Sequence, residues 1–424
     1  MNLTKQFFKY VSQNILGMIG FSCYVLADSY FISIAKGADG LTALNLVMPL
    51  YSIIFSIGEM IGVGSAIRYA ISKIKKDDYF WNALIWCILS SILFVFAGIF
   101  FSADIMRVLG ADEHIVAVGN NYTKIFMCFA PMFMCNYVTN AFVRNDGAPG
   151  IAMSATLFSS LFNIVFDYIL MFPMNLGMEG AALATALSPI IGMGICSIHF
   201  FSKKSSVRLV VCKPSVRKLV AGSQLGVSAF VGEMSSAVIT LAFNFVILKL
   251  TGNVGVAAYG VVANIAIVTT AVFNGVAQGS QPLISSCFGR GDKDGCTQLK
   301  RMGYTTAFVL AAVMYSILFI FAEQFVAVFN SEGSEMLRLY ATEGVKLYFI
   351  GIFFAGINIV GGGAFSATED AFKAAVVSVA RGFVLILGAV FVMSALFGMT
   401  GVWLAYAVAE GITTFIMLVM ALRV

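Results

Sequence analysis

The stretch Leu157–Ala186 reads LFSSLFNIVFDYILMFPMNLGMEGAALATA. It opens with an apolar helix, Leu157 to Phe172, that carries Asn163 and Asp167 four residues apart. A short loop, Pro173 to Gly180, follows, and Thr185 sits early in the next apolar helix. Positions i and i+4 share one helical face, so Asn163 and Asp167 lie together. A carboxylate inside a membrane helix costs on the order of 2.5–3.5 kcal/mol on insertion scales, so it is rare and functional by default. The first apolar run holds a second such acid, Asp28.

The setting is a membrane because the chain has too little charge for water. Of 424 residues, 60% are hydrophobic and 11% charged, with a mean hydropathy of +0.92. Soluble domains carry about 25% charged residues. No polar interval exceeds a loop, so no separate soluble domain is expected. No cleavable signal peptide is evident either, since no small-residue cleavage site follows the first apolar run. Twelve runs reach the roughly 20 residues that a span needs. They fall at 12–35, 42–71, 82–102, 120–143, 150–172, 179–201, 221–249, 256–287, 303–322, 340–364, 374–396 and 399–421.

Composition also excludes several classes. The eight cysteines form no CxxC pair and mostly fall inside apolar runs, where they read as small packing residues. With two histidines, at 114 and 199, no transition-metal site is expected, and no cofactor. The net charge of +5 comes from the loops and implies no nucleic-acid partner. A monomer in the lipid bilayer is the expected state.

Loop charge sets the topology. With the N-terminus inside, eighteen Lys and Arg fall in inner segments, among them Lys73, Lys75, Lys76, Arg144 and Arg423. Five (Lys36, Arg107, Lys249, Arg338 and Lys346) fall outside, and Arg68, Lys124 and Arg381 lie within spans. This bias puts both termini in the cytoplasm of a multi-pass protein of the cell (inner) membrane.

The two halves repeat. Gly40, Ala43, Gly64, Ser65 and Asp77 match Gly255, Ala258, Gly279, Ser280 and Asp292 at an offset of 215. Leu176–Ala186 (LGMEGAALATA) matches Phe397–Ala407 (FGMTGVWLAYA) at an offset of 221, with six of eleven positions identical. An even unit of six spans keeps its orientation, so the repeats are expected to be parallel, related by an axis along the membrane normal. The predicted fold class is an all-α polytopic membrane protein of twelve transmembrane helices in two parallel six-helix repeats. Its parts are an N-lobe (1–201, helices 1–6), a cytoplasmic linker (202–218) and a C-lobe (219–424, helices 7–12). Gly58, Gly62, Gly64 and Gly361 to Gly363 are read chiefly as close-packing positions, with a hinge as the alternative.

At 1.5 Å per residue, Asp28 lies about 24 Å above an inner start near 12, and Asp167 about 25 Å above one near 150. Thr185 lies about 9 Å below the outer boundary. Three independently threaded helices thus bring Asp28, Asp167 and Thr185 to similar depth, with Asn163 one turn deeper. Two carboxylates, an amide oxygen and a hydroxyl form a hard oxygen set. It suits Na⁺, or a proton shared by the carboxylate pair. The bland alternatives are that Asp167 caps a broken helix and that Asp28 is solvated at the interface. Glu233, Glu410 and Glu59 are further intramembrane acids with possible substrate or proton contacts. Arg68 and Arg381 are expected to snorkel or pair locally. The 39 Phe, 15 Tyr and 21 Met include candidates to line a cavity for organic cations.

Several stretches carry a family resemblance. They are Ile19–Lys36 (IGFSCYVLADSYFISIAK), 40–70 (GLTALNLVMPLYSIIFSIGEMIGVGSAIRYA), Asn163–Phe172 (NIVFDYILMF) and 256–291 (VAAYGVVANIAIVTTAVFNGVAQGSQPLISSCFGRG). Over essentially its whole length the chain resembles the multidrug and toxic compound extrusion (MATE) transporters, most closely the MepA-like branch. The resemblance implies two six-helix lobes and drug efflux driven by Na⁺ or H⁺. It also implies an N-lobe cation site at Asp28, Asn163, Asp167 and Thr185. The NorM-like branch adds an acid in the tenth helix. Here Phe353–Gly363 offers only Asn358, so Glu233, which resembles that branch's seventh-helix acid, lacks its partner.

The expected function is therefore secondary active efflux of small-molecule drugs, often organic cations, in exchange for Na⁺ or H⁺. The alternative is a flippase for a lipid-linked sugar, which would need a cationic cavity for phosphate. A membrane-embedded enzyme would need a catalytic cluster that two separated histidines do not supply.

Overall fold

The computed structural model describes residues 3–72, 78–208, 210–329 and 334–422. Lys73, Lys75, Lys76, Asp77 and Arg423, which enter the topology and the repeat, lie outside the described residues. Among the described residues there is no strand. In lipid each backbone N–H and C=O must be satisfied within its own segment, and an all-helical chain does this.

Nine helices are long and apolar enough to cross a membrane, and a bent pair makes a tenth span, among the described residues. Two of the nine are too long for one crossing. Val216–Arg290 has 75 residues, and Ala371–Ala421 has 51. At 1.5 Å per residue the former would reach roughly 110 Å, against about 30 Å of hydrocarbon. Each folds back at a glycine with left-handed φ, Gly252 (φ 67) and Gly398 (φ 58). The return is visible in side chains: Phe243 and Tyr259 stack at 5.0 Å across the Gly252 turn. Twelve spans result.

In chain order they are α1 (Leu3–Gly37), α2 (Asp39–Ile71), α3 (Asp78–Val108), α4 (Glu113–Cys128 and Ala130–Asn145, meeting at 46°), α5 (Pro149–Met171) and α6 (Gly177–Phe200). Then follow α7 (216–251), α8 (253–290), α9 (Lys293–Ile320), α10 (Glu335–Ala367), α11 (371–397) and α12 (399–422). The bend in α4 falls at Phe129, just before Pro131, which has no N–H for the helical ladder.

Several helices begin earlier than hydropathy suggests. α1 starts at Leu3 rather than 12, α4 at Glu113 rather than 120, and α6 at Gly177 inside the expected loop. Hydropathy sees only the apolar stretch, whereas backbone hydrogen bonding continues through polar flanking turns.

The repeat is written into the backbone. Gly37 (φ 58) and Gly252 (φ 67) are 215 apart, and Gly177 (φ 52) and Gly398 (φ 58) are 221 apart. These are the two offsets of the sequence repeat. All four glycines lie at one end of the molecule, the turn end. The interbundle linker lies at the other, the termini end.

Buried apolar side chains gather in two main cores. One draws on α1 to α6 and also takes in Leu225 of α7. The other draws on α7 to α12 but also takes in Phe7 and Val11 of α1. The two bundles meet through backbone contacts near the termini end. A Cβ on Gly64 would strike Gly222 and Gly226, and one on Gly279 would strike Val11 and Tyr10. The offset of 215 relates Gly64 to Gly279 and also Val11 to Gly226, so one contact is made twice about a pseudo-two-fold axis. Gly58 and Gly62 do the same work inside the first bundle, against Met134 and Tyr137 of α4. Packing is therefore the role of these glycines.

Candidate cation-binding site

α5 starts at Pro149, whose missing N–H costs nothing at a helix N-terminus, and ends before Pro173. Asn175 (φ 55) and Gly177 (φ 52) then turn the chain so that α6 runs back against α5. Thr185 is thereby set beside the Asn163–Asp167 face. Measured from the turn end, Asp28 lies about 14 Å in, Asp167 about 6 Å and Thr185 about 12 Å.

Asn163 and Asp167 are fully buried, Thr185 is 2% exposed and Asp28 7%. The Asn163 amide faces the Thr185 hydroxyl at 3.1 Å. Its nitrogen is best placed toward Asp167 Oδ2, at 3.1 Å. The amide oxygen then accepts from the Thr185 backbone N–H at 3.2 Å and from its hydroxyl at 3.1 Å. This orientation satisfies donor and acceptor together. One carboxylate oxygen of Asp167 is thus held in place.

The other is not. Asp167 Oδ1 and Asp28 Oδ1 are both buried without a hydrogen-bond partner. The two carboxyl groups are close enough to feel each other's charge. Among the described residues, neither forms an ion pair with Lys, Arg or His. Two buried acceptors with neither donor nor counter-charge from the protein make this pair a candidate to meet a positive species. The donors available to it are carboxylate, amide and hydroxyl oxygens, which suit a hard monovalent cation or a proton. Among the described residues no group of three His, Cys, Asp or Glu is arranged to hold a metal ion.

Tyr24 stands one turn from Asp28 on α1 and feels Asp28, Asp167 and Glu233. Tyr51 of α2 and Tyr122 of α4 join hydroxyl to hydroxyl, and both feel the charge of Asp28. None of these rings stands out in the sequence, where aromatics are everywhere. Asp28, four residues after Tyr24, is the available signal.

The remaining acids divide. Glu233 of α7 and Glu59 of α2 are half-buried and sense each other across the bundles. Glu59 Oε1 accepts from Gln278 Nε2 of α8 at 3.3 Å. Glu410 of α12 is set apart from all of these. Arg381 Nη2 reaches its Oε1 at 2.6 Å, and Asn358 Nδ2 donates to its Oε2 at 2.7 Å. Thr414 completes the network by donating to Asn358 Oδ1 at 3.0 Å. Glu410 and Asn358 thus belong to a closed ion-pair network in the second bundle. Arg381 lies on a wide π turn, Ala380–Val384, that aims it there. Its pairing is local, as expected, though its partner stands 29 residues on.

The family model MatE matches residues 14–169 and 229–391. The chain belongs to the MatE family. It is a membrane transporter, and not an enzyme. Curated relatives include "Multidrug export protein MepA" of Staphylococcus saprophyticus, 26% identical over 397 residues, covering 92% of this chain and 87% of the relative. The protein of the same name in Staphylococcus aureus strain MSSA476 is 28% identical over 407 residues with the same coverage. Among solved structures, "Outward-facing conformation of a multidrug resistance MATE family transporter of the MOP superfamily" superposes with a TM-score of 0.93 at 20% identity, covering 100% of this chain and 96% of that one. A MOP superfamily transporter from Pyrococcus furiosus superposes at 0.92 with 19% identity and the same coverage. At this identity the structures speak for the fold alone. The expected family and the twelve-helix fold are both borne out.

Proposed function

We propose that this chain is a secondary active exporter of small organic compounds, often cationic, which it exchanges for Na⁺ or H⁺ by alternating access. The observation that carries the reading is the pair of buried, unpartnered oxygens, Asp28 Oδ1 and Asp167 Oδ1. The names of the curated relatives, multidrug export proteins, supply the cargo class. In this reading the two bundles are the N-lobe and C-lobe, the termini end is cytoplasmic and the turn end faces out. The cation enters from the outside, near the ends of α5 and α6.

Asn163 and Thr185 fix Asp167 Oδ2, so the free Oδ1 meets the ion with little reorganisation. Binding replaces a buried repulsion between two carboxylates by attraction to a shared positive charge. A ligand shifts a conformational equilibrium only through its differential affinity for the two states. The cation therefore favours the state in which α1, α5 and α6 close on it. Organic cations favour the state in which Glu59, Glu233 and the surrounding aromatic faces are open to them. The flippase alternative needs free cationic groups in the cavity. Arg144 and Arg381 are already bonded to partners of the protein itself, which weighs against it.

The test is efflux of a fluorescent organic cation from vesicles with an imposed ΔpH or Na⁺ gradient. Gradient-driven efflux that Asp167→Asn abolishes in a folded protein supports exchange at this site and names the ion. Equal pumping by both proteins rejects the site. Transport of a lipid-linked sugar and of no organic cation would favour the flippase.

A further inference from the structure

By sequence Arg144 is an inner loop charge. In the structure it is 5% exposed, at the end of α4, on the face turned to the second bundle. Its Nη1 donates to Gln278 Oε1 of α8 at 2.5 Å and to Asn14 Oδ1 of α1 at 3.2 Å. Gln278 Nε2 in turn donates to Glu59 of α2. One amide thus bridges a cation and a carboxylate of the opposite bundle, which a primary amide can do because it both accepts and donates. Gly275 and Gly279 flank Gln278 and let α8 lie directly on Ile15 and Val11 of α1.

Building on the alternating-access reading, we propose that Arg144, Gln278 and Glu59 form the latch of the cytoplasmic seam. Gln278 is its positioning residue: the group that must let go before the termini end opens to substrate. A second link, Arg68 to Glu369, also crosses the seam, but its side chains are 23% and 35% exposed. Water screens such a pair and replaces its bonds as it parts, so it holds little. Arg144 is different. Its Nε already lacks a partner in the closed state, so the guanidinium depends on Asn14 and Gln278. Losing Gln278 inside the seam leaves a buried cation less satisfied, and only water entry restores the balance. The latch is also one-sided. Ala141-Phe142 aligns with Ala364-Phe365, which puts Ala367 opposite Arg144 in the second repeat.

The experiment reads seam opening without relying on drug transport. Ser65 is buried against Gly222 across the seam. A Ser65→Cys thiol is alkylated in inside-out vesicles with a membrane-impermeant maleimide, and the peptide carrying residue 65 is followed by mass spectrometry. Gln278→Leu, which can bond neither Arg144 nor Glu59, raises the alkylation rate at least about tenfold, the weight of one of its two lost hydrogen bonds. Gln278→Asn keeps polarity and folding but falls a methylene short, and it gives an increase of the same order. Arg68→Ala stays within about twofold of the parent. Gln278 variants reacting at the parent rate, or Arg68→Ala accelerating as much as they do, would overturn the latch while leaving alternating access standing. A thiol that never reacts in any variant or gradient would overturn both.

Discussion

Asn163 and Thr185, 22 residues apart on antiparallel helices, meet side chain to side chain at 3.1 Å inside the first bundle. That contact orients Asp167, because the same amide donates to its Oδ2. Removing either partner should change ion binding before it changes the fold. In Thr185→Val one hydroxyl is lost at constant shape, so the ion concentration for half-maximal efflux should rise about tenfold. Asn163→Ala removes both contacts and should raise it further. Ion titrations of efflux in vesicles check both, and unchanged half-maximal concentrations would refute this role for the amide.

Glu410 and Arg381 are held differently, as a buried pair. Breaking such a pair by removing one partner costs about 3–5 kcal/mol, while replacing both by apolar groups is often neutral. Arg381→Met and Glu410→Leu should each lower the thermal unfolding temperature in detergent. The double variant should recover most of the loss. A double variant as unstable as the sum of the singles would mean that the two residues do not act as a pair.

Gly252 turns α7 into α8 at φ 67, and a Cβ added there would meet nothing within 4 Å. Space is therefore free and only the backbone objects. Gly252→Ala should cost about 1–3 kcal/mol, because φ 67 with ψ −156 is a backbone region that essentially only glycine occupies. Gly64→Leu should do far more damage, since its side chain meets the Gly222 backbone. Comparing melting temperatures and the yield of folded protein separates a conformational penalty from a steric one.

Asp146 gathers the linker at the termini end. It accepts from Ser206 N at 2.8 Å, Ser205 Oγ at 3.0 Å, His199 Nε2 at 2.8 Å and, through its other oxygen, Tyr69 Oη at 3.2 Å. Asp146→Ala should release the segment after α6. Limited proteolysis between residues 202 and 215 should become markedly faster, and the unfolding temperature should fall as well, because the buried His199 of α6 loses its partner. Unaltered cleavage would show that the linker is held by other contacts.

The twelve spans, the repeat and the four-residue candidate set were legible in the chain because each is a local property. Spans follow from apolar length, and the repeat from residues such as Gly64 and Gly279 kept at one offset. Asp28, Asn163 and Asp167 follow from the cost of polar groups in lipid, which makes any such residue conspicuous. What only the tertiary structure decided is which polar groups answer one another. Glu410 and Asp167 look alike in sequence, yet one is given Arg381 and the other Asn163 and an unpaired oxygen. Arg144 looks like a loop charge until α8 brings Gln278 to it. Burial cost is a property of a residue and its helix. Neutralisation depends on distance between helices, and no periodicity along the chain encodes that.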